Sequence, residues 1–354
     1  MLSIRGQRSV TKGNVKCPRC TTESKKTERP EGKCPKCGYG FVFDPPNPLS
    51  DYAISQLIDK LSSSGMHSFT REQLVCEVER GILKKGLGRN GAIGVGVVLG
   101  FVCLVITGVI TSAVGVAGLL AAIPLLLLDL FLVVMLIRGA PRHASEASDL
   151  VRTYLGAVGP PAKMISERAH PAEQNANQAT AREFDLESYG FDRIVAVQHH
   201  VIVDMLVANQ FHVQHNAAIV SFDGYPSHVA RLVGKQIGSG QVNAPVFVLH
   251  DASPVGLLEA HRWLGSGWLG NTPVVRVGLF PAQSARLRPQ VPISPTVMTM
   301  PDGTSVNVDS QVPLAALRPV QIMNLLLNAF QKGADEGSTL VFWESSDGGS
   351  YDFG

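Results

Sequence analysis

The stretch Arg193-Ile-Val-Ala-Val-Gln198 is a short, mainly β-branched apolar run, the first of four such runs in the C-terminal half of the chain. The other three are Ala218–Phe222, Val246–Leu249 and Val274–Phe280. Segments of helical character separate them, at about residues 200–210, 226–237 and 254–264. Continuous apolar strands that alternate with helices indicate a mainly parallel sheet covered by helices on both faces. We therefore predict an α/β domain over residues 184–342.

Polar residues follow three of these predicted strands. Gln198 ends the first strand, Asp223 follows the second, and Asp251 and Ser253 follow the third. Because ligands of open parallel sheets bind at the carboxyl ends of the strands, these four residues form a candidate ligand or metal site. The alternative is that each aspartate caps the helix that follows it, which is a common use of aspartate after a strand.

The order of these elements and the turn from Asp251 to Gly256 resemble the Toprim domain of topoisomerases and related nucleases, over residues 190–282. The resemblance implies a general acid/base after the first strand and two acids that hold magnesium after the third. This chain has Gln198 and Ser253 at two of those acidic positions. Glutamine cannot exchange a proton, and serine lacks the negative charge that Mg²⁺ requires. We expect a degenerate site without Toprim catalysis, with a Mg²⁺ ion shared by Asp223 and Asp251 as the alternative.

Near the N-terminus, Cys17-Pro-Arg-Cys20 and Cys34-Pro-Lys-Cys37 are separated by thirteen residues. Each C-x-x-C pair can place two thiolates on one metal ion, so the four cysteines predict a single structural Zn²⁺ site. The pattern resembles a zinc ribbon, which we assign to residues 1–43. All four ligand positions are thiolates, which leaves no open position for a substrate, and we assign no catalytic residue anywhere in the chain.

The predicted zinc ribbon is basic. Residues 1–42 carry ten Lys and Arg against three Glu, a net charge of +7. Such a surface suits the phosphates of nucleic acid or the headgroups of anionic lipid. No aromatic residues alternate with the charges, as base stacking requires, so we favour a lipid contact or a solvated surface over nucleic acid.

The stretch from Gly91 to Ile137 contains no Lys, Arg, Glu or His, and Asp129 is its one carboxylate. It raises the mean hydropathy of the chain to +0.14, with only 17% charged residues. About 20 helical residues cross a bilayer, so the stretch predicts two spans, at about 92–111 and 116–137. Basic residues flank both ends, which places both flanks in the cytoplasm. We predict a transmembrane hairpin over residues 91–138, a multi-pass membrane protein with both termini cytoplasmic, and membrane lipid as a partner.

Gly96 and Gly100 form a small-xxx-small pair within the first predicted span. Small residues at this spacing let two helix backbones approach closely. The pair therefore predicts either packing of the first span on the second or a homo-oligomer.

The remaining segments are assigned by composition. A helical connector is predicted for residues 44–90, with helices at 51–62 and 70–84 and a capping box at Thr70-x-x-Gln73. Residues 139–183 are predicted to be a flexible linker that includes a helix at about 144–156, and residues 343–354 are predicted to be a mobile tail.

Two functional interpretations follow for this multidomain chain. The first is a membrane-anchored cytoplasmic binding or assembly protein with a structural zinc ribbon, a non-catalytic α/β domain and an unidentified protein partner. The second is a membrane-tethered, Mg²⁺-dependent, Toprim-like enzyme that processes phosphodiesters. Gln198 and Ser253 favour the first, because they remove two of the acids that the second needs.

Overall fold

The computed structural model describes residues 14–43, 47–85, 144–166, 172, 190–240, 244–270, 272–280, 284, 287, 289–299, 303 and 305–332. The chain begins with a small cysteine-containing module, continues with three packed helices and then forms a parallel α/β domain. A β-hairpin and a last helix follow.

The cysteine-containing module has a two-stranded antiparallel sheet, β1 (Asn14–Lys16) and β2 (Glu23–Lys25). Two short 3-10 turns follow, at Lys26–Glu28 and Pro30–Gly32. Three-residue strands cannot bury a sizeable core, so this module depends on its cysteines and on its contact with the next helix for stability.

Three helices form the second unit: α1 (Asp51–Leu61), α2 (Arg71–Lys85) and α3 (Ala144–Val158). The predicted capping box is confirmed at the start of α2. The Thr70 N–H donates to Gln73 Oε1 over 2.9 Å, and the Gln73 N–H donates to Thr70 Oγ1 over 3.2 Å. The residues of α3 that face α1 and α2 are spaced as an amphipathic helix requires: Ala147, Leu150, Val151 and Tyr154. The helix predicted at about 144–156 is therefore present as α3, and this part of the range assigned to a flexible linker is packed.

The α/β domain has a four-stranded parallel sheet in the order β4-β3-β5-β6. Its strands are β3 (Arg193–Val197), β4 (Ala217–Ser221), β5 (Val246–Leu249) and β6 (Val274–Gly278). Along β3, Val195 and Val197 join one buried cluster, whereas Ile194 and Ala196 join the cluster on the opposite face. Burial on both faces explains why these strands are continuously apolar rather than alternating.

Helices cover both faces of this sheet. One face carries α4 (His200–Ala208) and the short α5 (Phe211–Gln214), and the other carries α6 (Ser227–Gly238) and α7 (Pro254–Leu264). A hairpin of β7 (Val291–Thr299) and β8 (Ser305–Gln311) follows β6. The last helix, α8 (Pro319–Lys332), packs on the same face as α4, where the rings of Phe330 and Phe247 lie 4.6 Å apart.

A short segment between β8 and α8, residues 312–318, joins the helical unit to the α/β domain. Val312 pairs with Ala252 beside β5. On its other side, the Ala316 carbonyl accepts a hydrogen bond from Arg80, and Arg318 forms an ion pair with Glu77, both from α2. The segment is therefore held between the α/β domain and α2.

The transmembrane hairpin predicted for residues 91–138 is not borne out, and the membrane part of the predicted fold class is corrected. Within the described ranges, no helix combines the length and apolarity that crossing a bilayer requires. The longest, α2 and α3, have 15 residues each and carry charged side chains, whereas a span needs about 20 mostly apolar residues. The stretches 92–111 and 116–137, which contain Gly96 and Gly100, lie outside the described residues. The predicted localisation, a multi-pass membrane protein with both termini in the cytoplasm, depended on this hairpin and is therefore also wrong.

Candidate functional site

The four predicted metal ligands converge on one point. Cys17 Sγ lies 3.6 Å from Cys37 Sγ, and Cys20 Sγ lies 3.5 Å from Cys34 Sγ. All four sulfur atoms lie within 4.8 Å of one another. Four Zn–S bonds of 2.3 Å at tetrahedral angles would separate the sulfur atoms by about 3.8 Å. The cluster therefore has the geometry of a tetrahedral metal site.

Two matching turns of the backbone present these cysteines. In the first, the Thr21 N–H donates to the Cys17 carbonyl over 3.0 Å, and in the second the Gly38 N–H donates to the Cys34 carbonyl over 2.9 Å. The residue after each C-x-x-C pair has a positive φ, 59° at Thr21 and 72° at Gly38. Glycine adopts this conformation without strain, which explains its position after the last cysteine.

The thiols differ in acidity because their surroundings differ. Burial raises the pKa of Cys17 to about 12. The Thr22 hydroxyl, 3.3 Å from Cys20 Sγ, lowers the pKa of Cys20 to about 6. Cys17 therefore holds its proton more strongly than Cys20 does. Metal binding at this cluster is therefore coupled to the release of protons.

A buried carboxylate fixes the cysteine-containing module to α1. Asp51 is 0% exposed, and its Oδ2 and Oδ1 accept hydrogen bonds from the N–H groups of Val42 and Phe43, at 2.8 and 2.9 Å. The Lys16 ammonium also lies 4.6 Å from the centre of the Tyr52 ring. The end of the module is thus held at the first turn of the helix.

A second candidate site lies at the carboxyl edge of the parallel sheet. The chain passes from β3 to β4 on one side of β3 and then crosses back to β5 on its other side. The ends of β3 and β5 therefore flank the point at which the strand order reverses, where open parallel sheets bind their ligands. Gln198 and His199 follow β3 at this point, and Asp251 and Ser253 follow β5.

Gln198 links the two strand ends. Its Oε1 accepts a hydrogen bond from the Asp251 N–H over 2.8 Å, and its Nε2 donates to Glu259 Oε2 over 2.7 Å. Ser253 is the N-cap of α7, since its Oγ accepts a hydrogen bond from the Gly256 N–H over 2.9 Å. Both side chains thus bond to the loop and helix that follow β5.

Both carboxylate oxygens of Asp251 have donors. Oδ1 accepts from the Leu314 N–H over 2.7 Å, and Oδ2 lies 2.8 Å from His199 Nε2. This hydrogen bond raises the pKa of His199, and the charges of Asp251, Glu259 and Glu72 raise it further. Asp251 therefore orients the His199 ring and favours its protonated form.

Asp223 does not belong to this group. It follows β4, where its carboxylate accepts a hydrogen bond from the Ser221 hydroxyl. Because β3 lies between β4 and β5, the strands that precede Asp223 and Asp251 are about 10 Å apart. The alternative of a Mg²⁺ ion shared by Asp223 and Asp251 requires their strands to be neighbours, and the strand order places β3 between them. Among the residues that the structure describes, the four cysteines are the one group of three or more His, Cys, Asp or Glu close enough to share a metal ion.

The candidate site residues named from the sequence do not include His199, which follows the first strand, or Glu259. Knowledge of the strand order would have indicated His199, since it follows the central strand at the reversal point. Glu259 lies one turn into α7, and its contact with Gln198 depends on how that helix packs on the sheet. No local pattern in the sequence carries this information.

Neither a protein-family model nor a curated protein sequence matches this chain, so its function is argued from the geometry of these two sites.

Proposed function

We propose that Cys17, Cys20, Cys34 and Cys37 hold one structural Zn²⁺ ion, and that the chain is a non-catalytic binding or assembly protein. The main support for the zinc site is that all four sulfur atoms lie within 4.8 Å of one another. A site of four thiolates has no position for water or substrate, and such zinc sites stabilise small folds rather than catalyse reactions.

Zinc is favoured over other metals by the ligand set. Four thiolates in a tetrahedral arrangement suit zinc or iron, whereas magnesium and calcium take oxygen ligands. The two strands of the module contribute three residues each, so the ion would supply most of its folding free energy.

Three features of the carboxyl edge support a non-catalytic α/β domain. Gln198 is neutral and is engaged through both atoms of its amide. Ser253 caps α7, and both oxygens of Asp251 accept hydrogen bonds from within the chain. A Mg²⁺ ion at this edge would have to displace these bonds, and it would find two carboxylates that are already hydrogen-bonded, Asp251 and Glu259, where a Toprim site uses three acids.

The zinc site is tested by elemental analysis of the freshly purified, reduced full-length chain. We expect one zinc and no iron per chain, and an absorption spectrum without the visible bands of an iron–thiolate site. The Cys34→Ser variant should lose the metal. The matched control is Cys76→Ala, because Cys76 is buried in α2 outside the cluster and its substitution should leave the metal content unchanged.

Cobalt substitution adds a test of geometry. Tetrahedral Co²⁺–thiolate coordination should give its characteristic visible absorption in the wild-type chain and in Cys76→Ala, but not in Cys34→Ser. A reduced chain without bound metal, or a metal that remains in Cys34→Ser, would overturn the zinc assignment.

The alternative, a Mg²⁺-dependent, Toprim-like enzyme, predicts cleavage of nucleic acid, whereas the non-catalytic proposal predicts none. We expect the full-length chain not to cleave supercoiled DNA or RNA in the presence of Mg²⁺. Mg²⁺-dependent cleavage by the wild-type chain that Asp251→Asn abolishes would contradict the non-catalytic proposal. Equal cleavage by the wild-type chain and Asp251→Asn would identify a contaminating nuclease, and the proposal would stand.

A further inference from the structure

Strand β4 forms one edge of the parallel sheet. The strand order is β4-β3-β5-β6, so no described strand lies on the far side of β4. All five of its residues are nevertheless buried, with Ala217 at 0% and Ile219 at 3% exposure. Exposed edge strands are usually protected by charged residues, proline or a bulge, and β4 has none of these. It therefore has the character of an interior strand.

The backbone groups of β4 point alternately toward β3 and away from it. The Phe222 N–H, directly after β4, donates to the Val197 carbonyl oxygen of β3 over 3.0 Å. Alternate residues of a parallel strand direct both their N–H and their C=O to the same neighbour. The N–H and C=O groups of Ala217 and Ile219 therefore point to the outer side of β4.

These four outward groups have no hydrogen-bond partner among the described residues. The next outward residue, Ser221, is satisfied by the turn that follows β4. Its N–H donates to the Tyr225 carbonyl oxygen over 2.7 Å, and its carbonyl oxygen accepts from the Gly224 N–H over 3.0 Å. Buried backbone groups are almost always paired, and an unpaired one costs about 1–3 kcal/mol. The outer edge at Ala217 and Ile219 therefore requires another strand.

Helix α8 ends beside the beginning of β4. The Phe330 ring lies 6.3 Å from the ring of His215, two residues before β4, and 5.0 Å from the guanidinium of Arg193 at the start of β3. The helix begins after the segment 312–318, which pairs with the chain at the carboxyl end of β5, so it runs antiparallel to the strands. The chain after Lys332 therefore departs from the amino edge of the sheet, where a strand parallel to β4 must begin.

The sequence after α8 contains a run with the composition of a buried strand, Thr339-Leu-Val-Phe-Trp343. It has five residues, as β4 does, and four of them are consecutive large apolar residues, as in strands that are buried on both faces. Glu336 and Glu344 flank the run, as charged residues commonly flank hydrophobic strands. The intervening residues 333–338 can span about 20 Å when extended, which is enough to turn from α8 to the sheet edge.

We propose that residues 339–343 pair in parallel with the outer edge of β4 and form the fifth strand of the sheet. The backbone of this segment supplies the two donors and two acceptors that Ala217 and Ile219 need. A second copy of the chain does not fit this edge, because both residues are already shielded from solvent within one chain. The segment thereby closes a hydrophobic edge through which chains would otherwise associate.

The test is hydrogen–deuterium exchange of the full-length chain, followed by mass spectrometry. We expect the amides of residues 339–343 to exchange at least about tenfold more slowly than those of residues 346–354, because strand pairing protects backbone amides. Exchange of the segment as fast as that of residues 346–354 would overturn the proposal. Protection that increases with the concentration of the chain would identify a second copy as the partner and would also overturn it.

Val341→Pro removes a backbone donor and is incompatible with a paired strand. Exchange at the outward amides of Ala217 and Ile219 should become faster by about tenfold or more, because each loses its acceptor. The amides of Ala218 and Val220, which face β3, should change little.

The matched control is Ser350→Pro, which lies beyond the run and should leave exchange in β4 unchanged. Circular dichroism verifies that each variant is folded. Should Val341→Pro fail to fold, Val341→Gly takes its place; it keeps the N–H but weakens the strand, and it should speed exchange at Ala217 and Ile219 by several-fold. Unchanged exchange at these two amides in the folded variant, or an equal change in Ser350→Pro, would overturn the proposal.

Discussion

Gln73 and Leu317, 244 residues apart in the chain, are joined by a hydrogen bond of 2.9 Å from the Gln73 Nε2 to the Leu317 carbonyl oxygen. The Oε1 of the same amide accepts from the Thr70 N–H in the capping box. One buried side chain thus both starts α2 and attaches this helix to the segment that precedes α8. This contact makes the orientation of the Gln73 amide important for the stability of the whole chain.

The buried ion pair beside this contact should be important for stability. Glu77 is 2% exposed and pairs with both Arg80 and Arg318. Glu77→Gln removes the buried negative charge that the Arg80 and Arg318 guanidinium groups share, and we expect it to lower the free energy of unfolding by about 3 kcal/mol. Urea denaturation measures the change.

The matched control is Asp149→Asn, which breaks the exposed Asp149–Arg152 pair on α3. Exposed ion pairs contribute about 0–1 kcal/mol to the free energy of unfolding. Similar losses in the two variants would mean that the Glu77 pair contributes no more than a surface pair.

The pairing of His199 with Asp251 should give stability a pH dependence of known sign. The folded-state pKa of His199 is raised, chiefly by its hydrogen bond to Asp251. The stabilisation from this pair is therefore fully present below the unfolded pKa of about 6.5 and is lost as the pH rises through the raised folded value. In Asp251→Asn, the His199 pKa followed by NMR should fall, and the stability difference from the wild-type chain should shrink between pH 6 and pH 8.

Glu259→Gln serves as the comparison for this titration. Glu259 acts on His199 through charge alone, so its substitution should lower the His199 pKa by less than Asp251→Asn does. An unchanged His199 pKa in Asp251→Asn would show that the hydrogen bond at 2.8 Å does not form in solution.

The attachment of the cysteine-containing module depends on Asp51. In Asp51→Asn, one backbone N–H of Val42 or Phe43 faces an amide NH₂ instead of a carboxylate oxygen, and a buried donor loses its acceptor. We expect the free energy of unfolding to fall by about 1–3 kcal/mol. The metal content should not change, because the four cysteines remain. Asp59→Asn is the control, since Asp59 is exposed on the same helix. Loss of the metal in Asp51→Asn would show that Asp51 also supports the cluster itself.

The first turn of α7 has no room for a side chain at Gly256. A Cβ there would lie 2.5 Å from the Asp251 carbonyl oxygen and 2.9 Å from Gln198 Oε1. Gly256→Ala must displace the loop or the Gln198 amide, and overpacking of this kind costs about 1–3 kcal/mol.

Gly238→Ala is the matched control for Gly256→Ala, because Gly238 ends α6 and a Cβ there meets no atom within 4 Å. Thermal unfolding should show a lower midpoint for Gly256→Ala and little change for Gly238→Ala. Equal midpoints would show that the turn relaxes without cost.

The strands of the α/β domain could be predicted from the sequence nearly to the residue. The predicted runs at 193–198 and 246–249 correspond to β3 and β5, because a strand buried on both faces is apolar throughout. The strand order could not be predicted in this way. It depends on which strand edges pair, and no local pattern encodes that choice, so Asp223 was grouped with Asp251 although β3 lies between their strands.

The four-cysteine cluster was predictable because the spacing of its ligands is itself the signal. Helix α3 was predicted at about 144–156 without a packed face, yet Ala147, Leu150, Val151 and Tyr154 have a helical repeat that indicates a buried face. The β7–β8 hairpin was not predicted, although Pro301-Asp-Gly-Thr304 is a strong turn sequence between two β-branched runs.

The segment 312–318 also affects the order in which the chain can fold during its synthesis. The partners of Gln73 and Arg80 lie 244 and 236 residues further along, so α2 emerges from the ribosome long before the carbonyl groups that it binds. Until residues 316–318 have been translated, the bonds from Gln73 to Leu317, from Arg80 to Ala316 and from Glu77 to Arg318 cannot form. The N-terminal third of this protein can therefore complete its fold only after nearly the whole chain has been made.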